Sequence, residues 1–187
     1  MRRRRLLLGV GVALDRSALL RNNLVTRFTW RRVENDSERK KRLAVLGEPT
    51  VHGRHDLAQQ FCVSAALTAL HGAKAAEAAG LLKEWLDSAE GGSGFSFADL
   101  ASDLAGVELA TRLLAKPERL AELEKGFRVA DYCLSPKGLK EDLSRKEFEK
   151  QFGSLSDARF KKALEELRKR VRARPGFKER GTGKETP

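Results

Sequence analysis

Between residues 54 and 115 apolar and polar positions alternate with the period of an α-helix in three consecutive blocks. The first, RHDLAQQFCVSAALTALH over 54–71, repeats Leu57, Phe61, Ala65, Thr68 and Ala69 on one face and ends at Gly72. The second, about 73–89, carries Ala75, Ala76, Ala78, Ala79 and Gly80, which leave little side-chain bulk and invite close approach of another backbone. The third follows the glycine-rich bend EGGSGF and spans about 97–115, with Ser96 as its N-cap. Asp99 stands three residues after Ser96, as in a capping box with Asp in place of Glu. The bend predicts that helices two and three fold back as a hairpin, with Phe95 and Phe97 as core plugs.

Outside this core the pattern predicts shorter helices: 17–30, 34–46, about 117–130 opening at Pro117, 144–152 opening on the capping box SRKE, and 157–173 capped by Ser156. GEPTVHG at 47–53 is a turn and marks the start of the main body. The last helix has an apolar face of Phe160, Leu164 and Leu167, which predicts packing on that body. The expected fold is all-α: a small helical bundle around a three-helix core, with basic N- and C-terminal helical extensions. Its divisions are a basic extension over 1–47, the core over 48–115, a C-terminal helical region over 116–173, and a polar, disordered tail over 174–187. The poverty of aromatics, 6% of the chain, argues against an all-β alternative.

Charge changes this picture. The net charge is +11, with an acidic middle between two basic flanks. Such flanks suit polyanions, either anionic lipid headgroups or nucleic acid. The strongly basic final helix has no interleaved aromatics and no recognisable DNA-binding module, so nucleic acid is the less favoured partner. At the other end, four arginines precede the apolar run Leu6–Leu14. Three readings are open there: the n- and h-regions of an export signal, an Arg-rich amphipathic anchor, or an ordinary first helix. No segment reaches the roughly 20 apolar residues of a membrane span. Cys62 and Cys133 form no CxxC pair, which excludes a zinc-ribbon or thioredoxin-type motif.

Candidate chemistry lies in the acidic middle. Asp56 and Gln60, Glu84 and Asp87, and Asp99 and Asp103 are three pairs at helical spacing, one on each core helix, with Lys83 beside Glu84. If they converge, the cluster must gather a cation, gather Lys or Arg, or hold protons. The polar cluster is therefore expected to comprise Asp56, Gln60, Lys83, Glu84, Asp87, Ser96, Asp99 and Asp103. Glu84, Asp87 and Asp103 are its candidate metal ligands, for Mg²⁺, Mn²⁺ or Ca²⁺. His52 and His55 read as loop and helix-start residues, and His71 as a helix C-terminal one. EGGSGFSF lacks the G-K-[ST] ending of a phosphate loop.

DLAQQFCVSAALTAL, GLLKEWLDS and GSGFSFADLASDLAG together resemble the YfiM-like family of small bacterial proteins read as lipoproteins. The likeness covers 56–106 and rests on Asp56, Phe61, Ser64, Gly80, Lys83, Glu84, Asp87, Ser88, Ser96, Asp99, Asp103 and Gly106, among others. Gln60 stands where the family pattern has His, and the family's lipid-attachment cysteine is absent. The resemblance implies a helical fold, a polar site and a cell-envelope setting, and no established activity. The favoured expectation is a non-enzymatic protein associated with the envelope or a membrane surface, with a cytoplasmic location as the alternative. A metal-dependent hydrolase using Glu84, Asp87 and Asp103 with Asp56, and a nucleic-acid binder, are the competing readings.

Overall fold

A computed structural model describes residues 2–14, 34–116 and 118–178, and among these described residues there are eight α-helices. They are α1 (Arg2–Leu14), α2 (Asp36–Leu46), α3 (His55–His71), α4 (Ala73–Asp87), α5 (Phe97–Ala115), α6 (Arg119–Gly126), α7 (Arg145–Phe152) and α8 (Ala158–Arg172). Short 3₁₀ turns occupy Val129–Asp131 and Pro175–Phe177. Among the described residues there are only two isolated β-bridges and no strand. The all-α bundle expected from periodicity is the fold.

Helix α5 is its axis. Every residue from Leu100 to Val107 is buried, so this helix has no solvent face over two turns. Helix α3 crosses it at Gly106, where a methyl group would overlap the Phe61 carbonyl; the two backbones touch because the side chain is missing. Helix α4 meets α5 along a narrow stripe of Ala76, Gly80, Glu84 and Ser88, four residues apart. Only two of its small residues, Ala76 and Gly80, serve that approach; Ala75, Ala78 and Ala79 face solvent. Helix α1 lies on α3 by the same device: a methyl at Gly11 would overlap the Cβ of Ala66. Arg42 of α2 ties the start of α2 to the end of α1, pairing with Glu34 at 2.6 and 2.7 Å and donating to the Ala13 carbonyl.

The glycine-rich bend folds α4 and α5 back on each other, and it is fastened. Gly94 N–H bonds the Asp87 carbonyl at 2.8 Å, while Phe95 and Leu143 exchange backbone hydrogen bonds at 2.8 and 3.1 Å. Phe97 N–H adds a bond to the Lys140 carbonyl. Gly94 has φ +91°, and a Cβ there would overlap the backbone of Asp142, so both its conformation and its surroundings demand glycine. Phe95, Phe148 and Phe160 are completely buried and pack with Phe97 and Phe152 at ring-centroid distances of 4.6–6.5 Å. This aromatic cluster fixes α7 and α8 to the bend, as the apolar face of α8 predicted.

Several boundaries differ from the sequence expectation. The helix expected over 117–130 is only Arg119–Gly126, and Pro117 lies outside the described residues, as does the helix expected over 17–30. Asp157, not Ser156, caps α8, accepting from the Arg159 N–H at 2.8 Å. The fold also continues past Arg174: Phe177 is buried, sits edge-on to Tyr132, and has the Arg112 guanidinium 5.5 Å above its ring. The remainder of the expected tail, 179–187, lies outside the described residues.

Candidate functional site

The polar cluster centres on Glu84. Its position is dictated by helical phase: it falls on the buried stripe of α4, one turn before the helix ends, and is 1% exposed. A carboxylate there opposes the α4 macrodipole. The fold-back supplies the remedy, because the N-terminus of α5 arrives beside it. Ser96 N–H donates to Glu84 Oε2 at 2.9 Å, and Lys83 Nζ donates to Oε1 at 2.7 Å. Burial pushes the Glu84 carboxyl up to about 7, with the Lys83 ammonium as the main opposing influence.

This bond alters the expected capping box. Ser96 caps α5 by accepting from the Asp99 N–H at 3.1 Å, but the reciprocal half is not made by Asp99. Glu84, from the preceding helix, takes the Ser96 N–H instead. Asp99 accepts from the Ser96 hydroxyl at 3.0 Å and is otherwise turned toward Arg54 (3.2 Å), Gln60 (3.3 Å) and Lys83 (3.7 Å). Lys83 also bonds Asp87 at 2.9 Å. Arg54 forks onto Asp56 and reaches Glu141. The Arg54 guanidinium holds the Asp56 carboxyl below its ordinary range.

Seven of the eight expected cluster residues, Asp56, Gln60, Lys83, Glu84, Asp87, Ser96 and Asp99, thus join one chain of hydrogen bonds and ion pairs. Asp103 is set apart and deeper. It is 2% exposed, with Ser64 Oγ donating to Oδ1 at 2.6 Å, while Oδ2 has no hydrogen-bond partner. Gly80 leaves room for it: a Cβ there would lie 2.6 Å from Oδ2. Burial pushes the Asp103 carboxyl up to about 8, which favours its protonated form.

The expected metal ligands divide accordingly. Glu84 and Asp87 share the Lys83 ammonium, and Asp103 lies on the Ser64 side. Among the described residues no group of three or more His, Cys, Asp and Glu is placed to share an ion. His55 is held by the Pro49 carbonyl and Glu48, and His71 closes α3. Both cysteines are free and buried, and burial pushes each thiol up to about 12.

A second feature has no counterpart in the sequence reading. A cavity of about 310 Å³ opens between α1 and the body. Phe61, Cys62, Ala65 and Leu113 form its floor, and Leu6, Val10 and Phe127 its rim, exposed by 43, 38 and 46%. No charged residue lines it. Arg3, on the same face of α1 one turn before Leu6 and Leu7, donates to the Leu113 and Leu114 carbonyls at 2.7 and 2.6 Å and so closes the C-terminal end of α5. Arg4 and Arg5 are exposed. The available signal was the phase of Leu6, Leu7, Val10 and Leu14, which puts all four on one face of α1.

In comparisons with known proteins, no family model matches the chain, and no curated protein or solved structure does either.

Proposed function

We propose that the chain is a non-enzymatic helical protein that associates with an anionic membrane surface, in the cell-envelope setting that its YfiM-like stretch implies. The observation that carries this reading is α1, which combines exposed Arg4 and Arg5 with exposed Leu6 and Val10 at the rim of an apolar cleft. Cations beside apolar side chains on one helix suit the headgroup boundary, where Coulomb attraction and shallow burial add. Among the described residues no helix is long and apolar enough to cross a membrane, so contact would be at the surface. The carboxylate network fits a non-enzymatic role, since each of its acids except Asp103 is met by a cation or an N–H of the chain itself. Co-sedimentation with vesicles of phosphatidylglycerol and phosphatidylcholine tests it. Binding at low salt that weakens with salt, and weakens again in Arg4→Glu/Arg5→Glu, is expected. Failure to bind anionic vesicles at low salt would overturn it.

One observation favours a second reading. Lys161, Lys162, Lys169 and Arg170 form an exposed basic set on α8, suited to a nucleic-acid polyanion. It predicts salt-dependent binding of duplex DNA or RNA that Lys161→Glu/Lys162→Glu abolishes; unchanged binding by that variant would end it.

A further inference from the structure

We infer that the cleft beneath α1 is a binding site for the single alkyl chain of an anionic amphiphile, such as a fatty acid, with the anionic head held by Arg3 and Arg4 at the start of α1. This goes beyond surface association and shares with it α1 and the rim of the cleft.

Three observations carry the inference. The first is shape. The cleft follows Leu6, Leu7, Val10 and Leu14, a run of roughly 12 Å along a helix rising about 1.5 Å per residue, so it is elongated. Its volume, about 310 Å³, sits at the lower end of small-molecule pockets, which span about 300–1,000 Å³. That volume suits one alkyl chain better than the two tails of a whole lipid. The second is lining. With leucine, valine, alanine, phenylalanine and Cys62 making up most of the wall and no charged side chain present, the buried length of an occupant must be apolar throughout. The third is charge. Arg3 lies on the cleft face of α1 one turn from Leu6 and, among the described residues, donates to the Leu113 and Leu114 carbonyls, with Arg4 exposed beside it. An apolar trough with cations at one end is complementary to an alkyl chain bearing a negative head.

The test uses the full chain and monomeric probes in water, so no membrane is present and its outcome is separate from that of the vesicle experiment. Octanoate, nonanoate and decanoate, each below its micelle concentration, are titrated calorimetrically. Decyltrimethylammonium supplies the same tail with the opposite head. The expected result is one site per chain, affinity rising about fourfold for each added methylene, and binding of decanoate at least tenfold tighter than of the cationic analogue. Val10→Asp places a charge on the exposed rim, where folding tolerates it, and should weaken decanoate at least tenfold. Ala65→Phe fills the floor and should do the same, with circular dichroism verifying the fold of each variant. Absence of decanoate binding, or wild-type affinity in folded Val10→Asp, would overturn the inference. Equal affinity for the cationic analogue would overturn its anionic-head part. Binding of decanoate by a chain that ignores anionic vesicles would leave the site standing and remove only the surface reading.

Discussion

The two ends of α5 solve opposite problems. At the start of α5 the chain buries charge, and nearly every buried group finds its partner within the chain: Glu84 has Lys83 and the Ser96 N–H, and Asp99 has Arg54, Gln60 and the Ser96 hydroxyl. At the other end it buries apolar side chains and leaves space, with Leu6, Val10 and Phe127 exposed around an open cleft. A cluster of acids draws the eye first in a sequence. Yet a network that satisfies itself has little left to offer a ligand, whereas unfilled apolar surface retains a driving force for binding. On the reading proposed above, the polar end serves the fold and the apolar end serves recognition.

The largest effect is expected at the crossing that both ends share. Gly106→Ala drives a methyl into the Phe61 carbonyl, a rigid backbone atom, so α3 and α5 must separate along their length. A loss of roughly 3 kcal/mol or more, measured by urea denaturation, is the expected outcome. A variant as stable as wild type would show that the two helices can slide apart freely and that neither end is built on a fixed frame.

Next comes the claim that Glu84 serves the fold. Glu84→Ala leaves the buried Ser96 N–H without a partner and opens a cavity beside it. Destabilisation by about 2–4 kcal/mol is expected from those two terms. If the variant were instead more stable than wild type, the acid would be a burden kept for a ligand, and the comparison would be reversed.

The third prediction concerns protons. The Asp103 carboxyl titrates near 3.8 when unfolded and, pushed up by burial, at about 8 when folded; Glu84 shifts the same way, from 4.5 to about 7. Across that interval the folded chain holds protons that the unfolded chain has released. These groups therefore favour folding most below pH 4, and their contribution is lost as pH rises toward 8. Asp103→Asn keeps the Ser64 contact with a group that does not ionise. It should flatten the stability profile between pH 4 and 8 and raise stability at pH 8 by roughly 1–3 kcal/mol, read from denaturation midpoints. An unchanged profile would mean that another group, not Asp103, carries the dependence.

What could be read beforehand separates along similar lines. Helices α3, α4 and α5 were legible because their period is local, and the Ser144 capping box because all its atoms lie within four residues. The polar residues were legible as a set, since helical spacing fixes which share a face. Their bonds were not. The Ser96 N–H goes to a residue twelve positions away, through a fold-back that local rules do not specify, and this displaced the capping role given to Asp99. Adjacent cap formers defeated the choice at α8, where Ser156 and Asp157 are both suitable types. The segment after Arg174 reads as polar from its composition, but burial of the single side chain of Phe177 outweighs that average. The cleft was the least legible feature, because its walls come from four separated stretches, around 6–14, 49–51, 58–65 and 109–129.

The smallest expected effect on stability is also the sharpest test of the contrast. Gly11→Ala puts a methyl against the Ala66 side chain, beneath the one helix that roofs the cleft. Helix α1 buries Leu7, packs Leu14 against the edge of the core and ends at the surface, so global stability should fall by only about 1 kcal/mol. The local consequence differs: α1 must lift from α3, and the cleft wall formed by Leu6, Val10 and Leu14 moves with it. Hydrogen exchange should accelerate in α1 while the amides of α4 and the first turns of α5 keep their protection, since opening can be confined to one unit. The same variant should lose decanoate binding with the Glu84 network intact. Equal acceleration at both ends would mean that the two regions form a single cooperative block, and that closing one against water and leaving the other open is not a division of labour.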